Sequence, residues 1–361
     1  MRRLSDTIGR LAAIRGTPDQ PPPAGPDRLT PFEHFGRNPG NLRALVYVPS
    51  SVRARPALVV VLHGCTQNAA GYDVGAGWSR LADEQGFVLL YPEQKSANNP
   101  NRCFNWFAPE DVSRDHGEAQ SIREMIDAVG DAYDIDPARV FINGLSAGGA
   151  MTAVMLATYP EVFAGGAIIG GLPYGTASGV MQALERMRGH GMPDDTALAT
   201  LARDASGHRG PWPTLSVWHG DADATVQDSN AEAILTQWRG LHGVAAAPAS
   251  VVVSGDHARR VWRDAAGRAV IEDHRIAGMG HGTPIATRGA EGGGTAGAFM
   301  LDVGISSTRR IAAFWGIGPA VADAPPARQR QRLRPEPTAR REPVGVAAVI
   351  DDALRAAGLL R

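Results

Sequence analysis

From about residue 42 to residue 316, short apolar runs alternate with segments whose apolar positions recur at helical spacing. The runs LRALVYVP, PALVVVLHG, FVLLYPE, RVFINGLS, AGGAIIGG, TLSVWHG and EDHRIAG read as strands, whereas SIREMIDAVGDAY and AEAILTQWRGL are helical by period. Strands that are apolar on both faces, bounded by glycines and separated by helices, predict an α/β fold with a mostly parallel central sheet covered on both sides. In such a sheet, ligand chemistry gathers in the loops leaving the carboxyl ends of the strands. The segment VWRDAAGRAVIEDHRI carries a turn signal at residues 264–267, which predicts a hairpin near the sheet edge.

The flanks read differently. Leu4, Ile8, Leu11 and Ile14 lie near helical spacing and predict a short amphipathic helix; TPDQPPPAGPDRLTP after it reads as an extended linker, because each proline fixes φ and removes a donor. Beyond Gly318, AVADAPPARQRQRLRPEPTARREP is a basic, proline-bearing linker that ends in a second amphipathic stretch, VGVAAVIDDALRAAGLLR. The expected organisation is an N-terminal segment over 1–41, a catalytic domain over 42–318 and a C-terminal linker and helix over 319–361.

Composition narrows the possible partners. A 361-residue chain with 43% hydrophobic residues and a mean hydropathy of -0.17 has material for one large core. The formal net charge of -1 creates no field that recruits nucleic acid or an anionic membrane, so a neutral partner is expected. No stretch reaches the ~18 apolar residues of a membrane span. The opening MRRLSDTIGRLAAIRG lacks the apolar run of a secretory signal, which by sequence reads as cytoplasmic. Lys95 is the one lysine, which argues against a lysine-dependent mechanism.

The chemistry centres on GLSAG, residues 144–148, between the strand-like RVFIN and the helix-like AMTAVMLATYP. This is the pattern of a nucleophile elbow: Ser146 sits on a strained strand-to-helix turn, and the flanking glycines remove side chains that would clash. The helix N-terminus beneath it offers unpaired N–H groups to developing negative charge. A serine nucleophile needs a base, and the base an orienting acid; sheets with an elbow supply them in the chain order Ser, Asp, His. His281, in the glycine-rich GMGHGTP after EDHRIAG, is the candidate base. His274 lies inside a strand pattern and His257 near the hairpin, while His190, His208 and His242 fall in surface helix or loop sequence.

The candidate acid lies in HGDADATVQDSNAE, which leaves TLSVWHG and offers Asp221 and Asp223. Counted from Asp221, the same stretch places Asp221, Asp223, Thr225 and Glu232 at offsets one, three, five and twelve of a calcium loop. Its sixth position, where the sharp turn needs glycine, is the β-branched Val226, so the calcium reading fails and neither metal nor cofactor is expected. One oxyanion donor is expected at the Ala147 N–H and the second in LVVVLHGCTQ, where the Cys65 N–H is assigned and His63 shapes the loop. Cys65 and Cys103, the only cysteines, are too few for a Cys-type zinc site. They are either buried thiols or a bridge pinning the oxyanion loop to NRCFNWF, which would imply an oxidising compartment. Trp106 and Phe107 are either core or a wall facing the ester.

Taken in order, LHGCTQ, YPEQ followed by CFNWF, GEAQSI, GLSAGGAMT, YPEVFAGGA and HGDADATV resemble the esterase family of polyhydroxybutyrate depolymerases over roughly residues 40–316. That family contains short-chain-length polyhydroxyalkanoate depolymerases and related feruloyl and acetylxylan esterases. The resemblance implies an α/β-hydrolase fold and metal-free carboxylic ester hydrolysis by a Ser, Asp, His triad. It matches Ser146 to the nucleophile, His281 to the base and Asp223, the second aspartate of HGxxDxxV, to the acid. Asp221 follows directly on the strand and is expected to fix the turn through its own backbone. Two features depart from the family pattern: secreted members carry a signal peptide, and the histidine loop here reads GHGTP rather than GHAWP. Both count against crystalline extracellular polymer as the substrate.

Three readings follow. The substrate is a 3-hydroxybutyrate polyester or its oligomers; or it is a feruloyl or acetyl ester of the plant cell wall; or the chain is a non-catalytic granule-surface protein adsorbed through its terminal helices. Products separate the first two, and the third predicts polymer binding that survives deletion of the hydrolase core. The oligomeric state is not legible.

Overall fold

The run LVVVL at Leu58–Leu62 is buried at every position, which a strand can satisfy only when both faces of its sheet are covered. The computed structural model describes residues 27–321; the helices and linkers expected at residues 1–26 and from 322 onward lie outside the described residues. In chain order the first elements are β1 (Thr30–Pro31), β2 (Arg43–Tyr47), β3 (Leu58–Leu62), α1 (Ala69–Ala76), α2 (Trp78–Gln85), β4 (Val88–Glu93), α3 (Pro109–Val112), α4 (Gly117–Ala132) and β5 (Val140–Leu145). Then follow α5 (Ala147–Thr158), β6 (Gly165–Ile169), α6 (Val180–Met187), α7 (Asp195–Asp204), β7 (Thr214–Gly220) and α8 (Ser229–His242). The last are β8 (Ser250–Ser254), β9 (His257–Arg263), β10 (Ala269–Ile276), β11 (Thr283–Ile285), β12 (Met300–Asp302) and α9 (Ser307–Phe314).

Ten strands form one sheet in the order β1-β2-β4-β3-β5-β6-β7-β10-β9-β8. Each neighbouring pair from β4 through β3, β5, β6 and β7 to β10 is parallel, so the loops leaving these strands share one edge. The outer strands are antiparallel: β1 and β2 at one side, β9 and β8 at the other. This is the expected α/β-hydrolase architecture. Thr30 of β1 pairs with Val46, so the sheet takes in residues upstream of 42.

Two cores flank the sheet. On one side α4 presents Ile122, Met125, Ile126 and Val129, a repeat of three and four that makes one buried stripe. Each such side chain contributes roughly 1.5–3 kcal/mol on burial. On the other side Trp78, Phe141 and Trp315 pack together with the buried residues of α1, α2 and α9. The hairpin expected at 264–267 joins β9 to β10, with Asp264 N–H donating to Arg268 O and Gly267 at φ 81°. Four strands escaped the periodicity: β1, β11 and β12, too short to show an alternation, and β8. In β8, SVVVS, Val251 and Val253 are 58% and 67% exposed, because the strand forms the sheet edge and its apolar residues report no burial.

Candidate active site

The elbow forms where β5 runs into α5. Ser146 holds φ 56° and ψ -118°, a region that L residues rarely enter and that costs roughly 1–3 kcal/mol. Its neighbours explain how the turn is tolerated. A Cβ on Gly144 would lie 2.3 Å from Gly148 O, and one on Gly148 would lie 2.4 Å from Leu62 O, so any side chain at either position would drive strand and helix apart. Ser146 N–H donates to Ile169 O at 2.9 Å, which ties the turn to the end of β6. Ala147 is the first residue of α5, and the first amides of a helix have no intrahelical acceptor.

His281 arrives from the far side of the sheet, in the loop between β10 and β11. Its ring packs edge-on to Phe299 at 6.1 Å, and Thr283 N–H donates to Phe299 O at 2.8 Å. Nδ1 of His281 lies 2.6 Å from Oδ2 of Asp223. A carboxylate only accepts, so Nδ1 carries a proton and donates it, which points Nε2 away from the carboxylate. A Cβ on Gly170 would lie 3.2 Å from His281 Cε1. The dipeptide Ile169 and Gly170 thus carries Ser146 on one side and the imidazole on the other.

Between the two aspartates the geometry discriminates. Asp223 is 5% exposed; its Oδ2 faces His281, and its Oδ1 accepts from Thr225 N–H at 2.8 Å and Val226 N–H at 2.9 Å. Burial pushes its carboxyl up, but the hydrogen bond from His281 and the electrostatic pull of the two neighbouring imidazoles more than offset this and hold it below the usual range. Asp221, expected to bond its own loop, instead accepts from Gly278 N–H at 2.7 Å and pins the histidine loop. The local turn belongs to Asp223. Glu232, twelfth in the calcium count, sits on α8 and pairs with Arg260 and Arg275.

The turn at residues 63–65 leaves β3 toward the same edge. Gly64 N–H is taken by Gln67 Oε1 at 2.8 Å and Thr66 N–H by Asn101 O at 2.6 Å, and the Cys65 amide, the expected oxyanion donor, lies between them. Cys65 and Cys103 are joined in a disulfide with Cα atoms 4.2 Å apart. The bridge carries the oxyanion turn to the aromatic loop, where Trp106 and Phe107 meet edge-on at 5.5 Å. Trp106 packs in one cluster with Ala147, Leu172, Ala183 and Val226, with Phe107 partly buried against it. The bond closes a separation of 38 residues, for which loop-closure entropy corresponds to about 4 kcal/mol. Replacing both cysteines with serine is therefore expected to lower the melting temperature markedly and to slow ester hydrolysis, read by calorimetry and by p-nitrophenyl butyrate turnover. An unchanged melting temperature would show that the bridge adds no stability.

Sequence reasoning missed one participant. His219, the last residue but one of β7, is 1% exposed; its Nε2 lies 2.8 Å from Val226 O and 3.5 Å from Asp223 Oδ2. The carbonyl fixes the proton on Nε2, and burial depresses the basicity of the ring, so a neutral imidazole holds the acid loop. The motif HGDADATV contained this residue, but only the fold of the loop back onto β7 brings Val226 to it.

A sheet of this topology, with an elbow after β5 and a carboxylate–imidazole pair from the loops after β7 and β10, defines an α/β-hydrolase. The family model described as esterase PHB depolymerase matches residues 42–264. Poly(3-hydroxyalkanoate) depolymerase C of Paucimonas lemoignei is 45% identical over 291 residues, covering 80% of this chain and 70% of its own. Acetylxylan esterase of Coprinopsis cinerea is 31% identical, covering 74% of this chain and 72% of its own. Among solved structures, an acetyl xylan esterase from Aspergillus awamori superposes with a TM-score of 0.69 at 24% identity, covering 80% of this chain and 99% of its own, a likeness of fold. The chain belongs to the esterase PHB depolymerase family and is a carboxylic ester hydrolase.

Proposed function

We propose that this esterase hydrolyses poly(3-hydroxybutyrate) or its oligomers through an acyl-enzyme on Ser146. His281 Nε2 takes the Ser146 hydroxyl proton as Oγ attacks the ester carbonyl, and Asp223, 2.6 Å from Nδ1, stabilises the imidazolium and holds its tautomer. The amides of Cys65 and Ala147 receive the tetrahedral oxyanion, whose charge develops at the N-terminus of α5. Collapse expels the alcohol with the proton from His281. Water, deprotonated by the same imidazole, then releases the acid and restores Ser146. Trp106 and Phe107 form the apolar wall along which the acyl chain lies.

One observation carries the polyester substrate: 45% identity across 80% of the chain to a poly(3-hydroxyalkanoate) depolymerase. A second reading, hydrolysis of acetyl or feruloyl groups on plant polysaccharide, is favoured by the acetylxylan esterase at 31% and by the feruloyl esterase B of Talaromyces funiculosus at 29% identity. Purified protein is assayed on amorphous polyhydroxybutyrate, p-nitrophenyl butyrate, methyl ferulate and acetylated xylan. The expected products are hydroxybutyrate monomers and dimers. Release of acetate or ferulate without hydroxybutyrate would select the second reading.

A further inference from the structure

A chain of buried polar groups runs beneath the site, and the steps of ester hydrolysis do not use it. Glu118, the second residue of α4, is 1% exposed. Its Oε1 accepts from Gln94 Nε2 at 2.5 Å, and its Oε2 accepts from the Asn105 backbone N–H at 2.9 Å. Gln94 cannot turn its amide over, because its Oε1 accepts from Lys95 N–H at 3.0 Å and Asn98 Nδ2 at 2.8 Å. Its amino group therefore faces Glu118, and it also donates to Cys103 O at 3.1 Å. The Gln94 backbone N–H donates to His63 Nε2 at 3.1 Å, and His63 Nδ1–H donates to Gly64 O at 2.8 Å. One carboxyl thus collects two loops: the aromatic loop directly through Asn105, and the turn at residues 63–65 through Gln94 and His63.

We infer that Glu118 is a positioning residue for ester hydrolysis, fixing the separation between the oxyanion turn at Cys65 and the aromatic loop carrying Trp106 and Phe107. The inference rests on the proposed serine mechanism, since that separation matters only if the acyl group lies between the two. The disulfide and the contacts of Thr66, whose N–H donates to Asn101 O at 2.6 Å and whose carbonyl accepts from Arg102 at 3.1 Å, join these loops around the cysteines. The carboxyl holds them further along, at Asn105 on one loop and through Gln94 at His63 on the other.

The groups facing Glu118 make its hold depend on pH. From α3 comes Asp111, whose Oδ1 accepts from Glu118 N–H at 3.2 Å and whose neighbour is Glu110; the residue after β4 and the aromatic loop contribute the neutral Gln94 and Asn105, with His63, held neutral by burial, behind Gln94. Burial first, and then the charge of Asp111, push the Glu118 carboxyl up to about 8. Hydrogen bonds to an ionised acceptor are roughly twice as strong as neutral ones, so the two loops are gripped harder as pH rises through that value. Stability runs the other way. The folded chain holds this proton more tightly than the unfolded chain, whose value is near 4.5, so the stabilisation is full below 4.5 and is lost as pH rises through about 8.

The test is Glu118→Gln. One glutamine oxygen can still accept, but its amino group must face a second donor, Gln94 Nε2 or Asn105 N–H. KM for p-nitrophenyl butyrate is expected to rise about tenfold, as for loss of one charge-assisted bond. The wild-type increase of kcat/KM through pH 8 is expected to vanish, and the melting temperature to fall less between pH 5 and 9 than in wild type. Should this variant not fold, Gln94→Met removes the side-chain bond to Glu118 and so uncouples the carboxyl from the turn at residues 63–65, while the backbone bond to His63 and the Asn105 bond remain, and the same rise in KM is expected. A folded variant with wild-type KM and pH profile would overturn the inference. Fluorophosphonate labelling separates the two levels: label on Ser146 with an unaltered Glu118→Gln profile removes only the positioning role, whereas no label on wild-type Ser146 removes the mechanism beneath it.

Discussion

Ser146→Ala is expected to lower kcat on p-nitrophenyl butyrate by at least about ten-thousandfold, with KM little changed. The residue sits on a strained turn at the N-terminus of α5, and under the proposed mechanism removing its oxygen leaves nothing for His281 to activate. The fold should tolerate the change. Alanine at φ 56° is strained to a similar degree as serine, and Ser146 joins the sheet through its backbone N–H, which alanine retains. His281→Ala should fall to the same floor, and the double variant no further, because the pair acts as one unit. Circular dichroism controls for folding. Wild-type turnover by Ser146→Ala would overturn the assignment.

The second large effect concerns the aspartates. Asp223→Asn is expected to cost about ten-thousandfold in kcat, because an amide in that position can offer its NH2 to Nδ1 and so stabilise the wrong imidazole tautomer. It also removes the charge that stabilises the imidazolium. Asp221→Asn should stay within a few-fold of wild type, since the asparagine oxygen can still accept from Gly278 N–H as the carboxylate does. Both variants are compared on one ester at one pH, with melting temperatures alongside. The opposite ranking would return the acid's role to Asp221.

What was legible in the sequence and what was not divides by the range of the interactions. The elbow is local: apolar strand, glycine-flanked serine and small-residue helix are contiguous, and the close approach of Gly144 to Gly148 spans one turn of chain. The β9–β10 hairpin is local for the same reason, its turn closed by Asp264 and Gly267. The pairing of Asp223 with His281 spans 58 residues and was reached through a resemblance; neither aspartate was distinguishable by periodicity. Partners fixed by tertiary packing stayed hidden. Nothing in HGDADATV says that Asp221 reaches Gly278 or that His219 caps Val226, and nothing in GEAQSI says that Glu118 reaches Gln94 and Asn105. β8 was missed for a different reason, because its valines lie at an exposed edge and break the rule that apolar runs are buried.

If a hydroxyacyl group passes through Ser146, mass spectrometry of enzyme quenched in acid during turnover of a 3-hydroxybutyrate oligomer is expected to show a 3-hydroxybutyryl adduct on the peptide containing Ser146, absent from Ser146→Ala. An adduct on a different residue, or hydroxybutyrate released by Ser146→Ala at the wild-type rate, would contradict it.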